Sequence, residues 1–186
     1  MTELLRRAVA LVPDDACSDA GCSAADVREY LKQDEWEFAL DLLGDFDGLV
    51  WQTSEYWKLL AAAAEEMYLP SEWFHWREAE TRLGLVRVDL HLVPGARKVP
   101  IPRAGVLRPL WDVGGGDLRV ARMWVESKPE LEPGGRAVVR LLARSPEAWR
   151  HLAVGDEITM HEAPPVAGRA TVIEYVGVGE TRPRDR

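Results

Sequence analysis

At 186 residues, 47% of them hydrophobic and 29% charged, the chain has the composition of an ordinary globular protein, not of a disordered tail. A net charge of −8 argues against non-specific binding of nucleic acid, and no stretch approaches the ~20 apolar residues that would span a bilayer. The charge is unevenly held: residues 1–83 contain 18 Asp/Glu and 7 Lys/Arg, whereas residues 84–186 contain 13 and 16.

In chain order, Thr2 to Leu11 reads as a short amphipathic helix stopped by Pro13. Glu3 comes early and only Ala8 to Val12 form an apolar run, so no secretory signal is expected and the cytoplasm is the expected compartment. Cys17 and Cys22 are the only cysteines. They lack a CxxC spacing and a second ligand pair, so no metal is expected; they are read as structural or incidental thiols, a disulfide being geometrically possible but atypical in a reducing compartment.

Ser23, with Asp26 three residues later, has the capping-box pattern for a second helix carrying Val27, Tyr30 and Leu31. Asp34 is expected to cap a third helix, in which Trp36, Ala39, Leu40, Leu43 and Phe46 mark the buried face. Thr53 or Ser54 opens a fourth helix through Met67, with Tyr56, Leu59, Leu60 and Ala63 inward. Pro70-Ser71 starts a fifth, Glu72 to about Arg82. Trp51, Trp57, Trp73 and Trp76 fall in this stretch, either as core or as an interface anchor.

After Gly84 the period changes to two. Val86, Val88, Leu90 and Leu92 alternate with Arg87, Asp89 and His91, as in a half-buried strand. Further strands are expected at Lys98–Ile101, Val106–Val113, Leu118–Glu126, Arg136–Ala143, Glu157–His161 and Arg169–Val176, separated by glycine- and proline-bearing turns. The expected fold is α+β: a helical bundle over residues 1–83, a six- to seven-stranded antiparallel Greek-key-like barrel over 85–178, and a tail at 179–186.

Within the barrel segment, Pro133-Gly134-Gly135 and the strand after it, Gly105-Val106-Leu107-Arg108-Pro109-Leu110, and the span Ile158 to Val172 with His161-Glu162 and Gly168 form a recognisable set. Together they resemble the third, C-terminal β-barrel domain of elongation factor Tu and related translational GTPases. The resemblance implies a barrel that works in or beside translation. The chain departs from that family in the hairpin turn, which is Ala163-Pro164-Pro165 in place of a glycine pair and an arginine. It also has no GxxxxGK[ST] phosphate loop, so nucleotide binding is not expected.

In the first half, Asp26-Val27-Arg28-Glu29-Tyr30-Leu31 and Asp34-Glu35-Trp36-Glu37-Phe38-Ala39-Leu40-Asp41-Leu42-Leu43 are similar to small helical immunity proteins of bacterial polymorphic toxin systems. That likeness implies occlusion of a toxin domain through a non-covalent interface.

Two sets of charged residues are candidate partner-binding sites. Glu37, Asp41 and Asp45 stand at i, i+4 and i+8, and no Lys or Arg interrupts the chain from Gln33 to Gln52. Like charges at that spacing destabilise a helix by about 0.2–0.5 kcal/mol per pair, so the run reads either as a solvated face or as a docking surface for a basic protein. Arg136, Arg140 and Arg144 recur ~13 Å apart on one strand face and could follow phosphates or pair with neighbouring acids. His75, His91, His151 and His161 are scattered without ligand spacing, and neither Asp156-Glu157 nor His161-Glu162 belongs to a nucleophile signature. The chain is therefore expected to bind and not to catalyse, without cofactor or membrane. The expected partner is a basic protein surface, a toxin domain or a translation component; tRNA or a ribosomal partner, met through the barrel, is the alternative.

Overall fold

A computed structural model describes residues 2–46, 48, 51–126, 128–162 and 166–177. The expected tail at 179–186 and the Ala163-Pro164-Pro165 turn lie outside the described residues. The chain divides into two compact units, residues 1–81 and 82–186, the division falling in the last turn of the fifth helix. No helix among the described residues is long and apolar enough to cross a membrane.

The first unit is built from α1 (Thr2–Ala10), α2 (Ala24–Lys32), α3 (Trp36–Gly44), α4 (Ser54–Glu66) and α5 (Glu72–Leu83). Ser23 caps α2 with the full capping box: its side chain accepts from the Asp26 N–H while Asp26 accepts from the Ser23 N–H at 2.8 Å. Thr53 caps α4 through the Tyr56 N–H. Leu5, Val27, Leu31, Leu40, Leu43, Tyr56, Leu60 and Phe74 meet in one apolar core. Gly44 lets α3 come close to α5, since a Cβ there would meet the Phe74 ring at 3.2 Å. Trp57 and Trp76 are buried, and the Arg77 guanidinium lies 4.8 Å from the Trp57 ring and 5.4 Å from that of Trp73. Trp57 and Trp76 are thus core and Trp73 is partly buried, with the Arg77 cation over the Trp57 and Trp73 rings.

Asp34 does not cap α3. It adopts a left-handed conformation, φ 59°, and ends α2, with the Glu35 N–H donating back to the Tyr30 carbonyl at 3.0 Å. The two roles compete for the same residue type, because Asp favours both helix starts and left-handed helix ends. Helix α3 begins at Trp36 with Glu35 before it and no side-chain cap. The same device closes α4, where Tyr68 is left-handed at φ 57° and Leu69 donates to Ala64 at 2.9 Å.

The second unit is a closed six-stranded antiparallel barrel in the order β1-β6-β4-β3-β7-β8, formed by β1 (Leu85–Leu92), β3 (Leu110–Asp112), β4 (Leu118–Val125), β6 (Arg136–Ala143), β7 (Glu157–His161) and β8 (Val166–Val176). Strands β3, β4 and β6 neighbour one another in succession while β1 returns beside β6, which is a Greek key. Val88, Leu90, Trp111, Met123, Val139, Leu141, Ile158 and Val172 fill the interior. Chain closure leaves no open barrel edge.

Two strand expectations shift. The stretch at 98–101 gives only β2 (Ile101–Pro102), which pairs with β5 (Glu130–Leu131) outside the barrel. The stretch at 106–113 shortens to β3, because Pro109 has no N–H to give a ladder, although Leu107 and Pro109 still accept bonds from Met123 and Ala121.

Candidate docking surface

The outer face of α3 is set by its inner one. At about 100° per residue, Ala39, Leu40 and Leu43 point one way and are buried, which turns Glu37, Phe38, Asp41 and Asp45 into an arc of about 100° on the opposite side. All four are exposed. The helix is fixed from behind by Tyr56, whose hydroxyl donates to the Leu43 carbonyl at 2.6 Å, and whose burial pushes its own proton affinity well up.

Among the described residues, none of Glu37, Asp41 and Asp45 belongs to an ion pair. The carboxyl of Asp45 is held above the usual range, first by partial withdrawal from water and then by the charges of Asp19 and Asp41. Asp19 is brought there by its own N–H, which donates to the Asp45 carbonyl at 3.2 Å. Asp45 also sits at the C-terminal end of α3, where the helix dipole is negative and no basic residue is present. Three repulsions therefore converge on one exposed side.

Phe38 belongs to this face and was not legible as a site in the acidic run. It is 61% exposed, and one side of its ring stacks on Tyr30 of α2 with centroids 5.8 Å apart. Tyr30 in turn lines a shallow groove with Cys22, Asp26, Glu29 and Gln33. The sequence signal that could have found Phe38 is its phase: it falls on the solvent side of a helix whose buried face is set by Leu40 and Leu43.

The barrel arginines behave differently. Arg136 is exposed, and its guanidinium donates to both carboxylate oxygens of Asp89, from Nε at 2.8 and 3.0 Å. That bond holds the Asp89 carboxyl below its ordinary range. Arg140 is buried and donates to Glu126 at 2.9 Å. Glu126 also takes two bonds from Arg87, which reaches Glu174 at 2.8 Å. A bulge aligns that group, since the pairing of β1 with β8 slips between Arg87 and Val88. Arg144 lies beyond the end of β6 and is exposed, and its backbone N–H donates to the Val120 carbonyl at 3.0 Å. So Arg136, Arg140 and Arg144 share a strand direction but not a common environment.

The remaining polar groups hold local structure. His151 meets the Val113 carbonyl at 2.6 Å, His161 meets the Thr159 hydroxyl at 2.9 Å, and His75 meets Glu65 at 2.8 Å. Asp156 closes its turn by accepting from the Ala153 N–H at 2.8 Å. Cys17 and Cys22 are both free; Cys17 forms an isolated bridge with Ser23, and the Cys22 carbonyl accepts from the Ser18 N–H at 2.9 Å. Among the described residues no three His, Cys, Asp or Glu side chains gather as metal ligands. No protein-family model matches this sequence, and no curated protein matches it.

Proposed function

We propose that this chain is a non-catalytic binding protein of the cytoplasm that docks a basic protein surface on the outer face of α3. Its mode of action is that of an immunity protein, which blocks a toxin domain or a translation component by covering it. The observation that carries this reading is the row Glu37, Asp41 and Asp45: exposed, mutually repelling, and without a counter-ion among the described residues. A free protein loses a little stability by such an arrangement, and a basic partner would recover it on binding.

The alternative, a translation-associated adaptor that contacts tRNA through the barrel, has less to stand on. Arg136 and Arg140 are already committed to Asp89 and Glu126.

The test is a pull-down of the binding partner followed by association kinetics with Asp41→Asn/Asp45→Asn. The double variant is expected to associate more slowly and with weaker salt dependence, because exposed charges act on the encounter. Unchanged association would remove the α3 face from the proposal. Tightly held RNA after purification without nuclease would shift the reading to the barrel.

A further inference from the structure

Acids alone would attract any cation, but the α3 face also presents an aromatic ring beside them. Phe38 follows Glu37 in the chain, with Asp41 and Asp45 one and two turns along the helix from it. The ring meets Tyr30 in an offset stack, and most of the residue stays open to solvent. A free aromatic face flanked by carboxylates is complementary to a particular cation. Arginine is planar, stacks on rings, and offers a forked set of donors that fits a carboxylate; the lysine ammonium is a compact, strongly hydrated point charge.

The cations of the neighbouring helix do not fill this place. Lys32 is held by Glu29 at 3.0 Å. Arg28 is two residues from both Asp26 and Tyr30, which line the groove, and so stands about 160° around α2 from each of them.

We propose that the Phe38 ring, backed by Tyr30 and flanked by Glu37 and Asp41, is the seat for an arginine side chain of a basic polypeptide partner. The seat rests on the proposed function of the α3 face and adds a specificity to it: arginine over lysine. The guanidinium lies flat on the exposed side of Phe38, and its edge donors reach the flanking carboxylates.

The experiment uses the full chain and two end-blocked peptides of equal formal charge, hexa-arginine and hexa-lysine, titrated by calorimetry at low and moderate salt. Hexa-arginine is expected to bind roughly two- to fivefold more tightly than hexa-lysine, the margin of one exposed cation–π contact. Phe38→Leu, which keeps bulk but removes the ring, should abolish the preference and leave hexa-lysine binding unchanged. Phe38→Tyr should keep it.

Equal affinities of the parent for the two peptides would overturn the arginine seat while leaving the acidic docking face standing. A preference that survives Phe38→Leu would overturn its placement on this ring. Failure of both peptides to bind would overturn the docking face itself, and the seat with it.

Discussion

The outer face of α3 and the β1–β6 face of the barrel handle charge in opposite ways. In the barrel, Arg87, Arg140, Glu126 and Glu174 form one linked group, Arg136 is clasped by Asp89, Arg97 meets Glu162, and Arg119 meets Asp117. In the helical unit, pairs such as Arg7–Glu55, Lys58–Glu78 and Arg77–Glu80 engage cations on α1, α4 and α5, and none of the pairs among the described residues reaches the outer face of α3. The difference teaches where to look for recognition. A charge that has a partner within its own fold must give it up to bind another molecule, whereas an unpaired one gives up only water.

The largest expected effect tests whether the helical unit has the phase that puts those acids outside. Leu40 is buried on the inner face of α3, so Leu40→Ala should cost about 2–5 kcal/mol of stability in chemical denaturation. A loss below about 0.5 kcal/mol would mean the inner and outer faces are misassigned, because an exposed site falls within that range.

The matching probe in the barrel is Gly168, where β8 passes close to β1. A Cβ there would stand 2.9 Å from Leu90 Cδ1, 3.3 Å from the His91 carbonyl oxygen and 3.4 Å from Leu92 Cδ2. Gly168→Ala should therefore cost about 1–3 kcal/mol through overpacking. A neutral result would show that the β1–β8 seam is looser than this register requires.

A smaller effect, in the favourable direction, is expected at Tyr68. Its side chain is almost fully exposed and its backbone is left-handed, so the side chain gains little contact to offset the strain. Tyr68→Gly should raise stability by about 0.5–1 kcal/mol, read as a higher melting temperature. A lower one would show that the tyrosine makes a contribution its exposure does not reveal.

These same residues show how far the sequence could be read. Helix positions followed from apolar spacing, and the Ser23–Asp26 capping box could be named in advance because its chemistry is local. Strand β6 came out with the bounds expected after the Pro133-Gly134-Gly135 turn. Asp34 was misread because a single residue type serves two helix ends, and only the path of the chain decides between them. The segment at 98–101 alternates like a strand, but its pairing with Glu130–Leu131 depends on residues about thirty positions away. In the site, the acids were legible as a run of charge. The exposure of Phe38 follows from its helical phase, but that Arg140 is buried against Glu126, and that the Phe38 ring stacks on Tyr30 of another helix, are facts of tertiary packing that no local pattern contains.

The smallest effect on stability bears most directly on the comparison. Changing Asp41 and Asp45 to Asn removes both like-charge steps along α3, each worth about 0.2–0.5 kcal/mol in a helix. If the acids are kept for a partner, the isolated double variant should melt at the same temperature as the parent or slightly higher at neutral pH. The pH dependence gives the sign. The folded chain holds the Asp45 proton more tightly than an ordinary carboxyl would, because of partial withdrawal from water and the nearby Asp19 and Asp41. The stability that Asp45 contributes is therefore fully present below the unfolded value of about 3.9 and is lost as pH rises through the higher folded value. The advantage of the variant should accordingly be greatest at neutral pH and low salt, and should shrink as the parent is acidified below about pH 4. Melting curves of the two proteins across that range decide the matter. A variant that melts distinctly lower at neutral pH would show that Asp41 and Asp45 hold the fold together, and the contrast between the open α3 face and the paired β1–β6 group would no longer mark the docking surface.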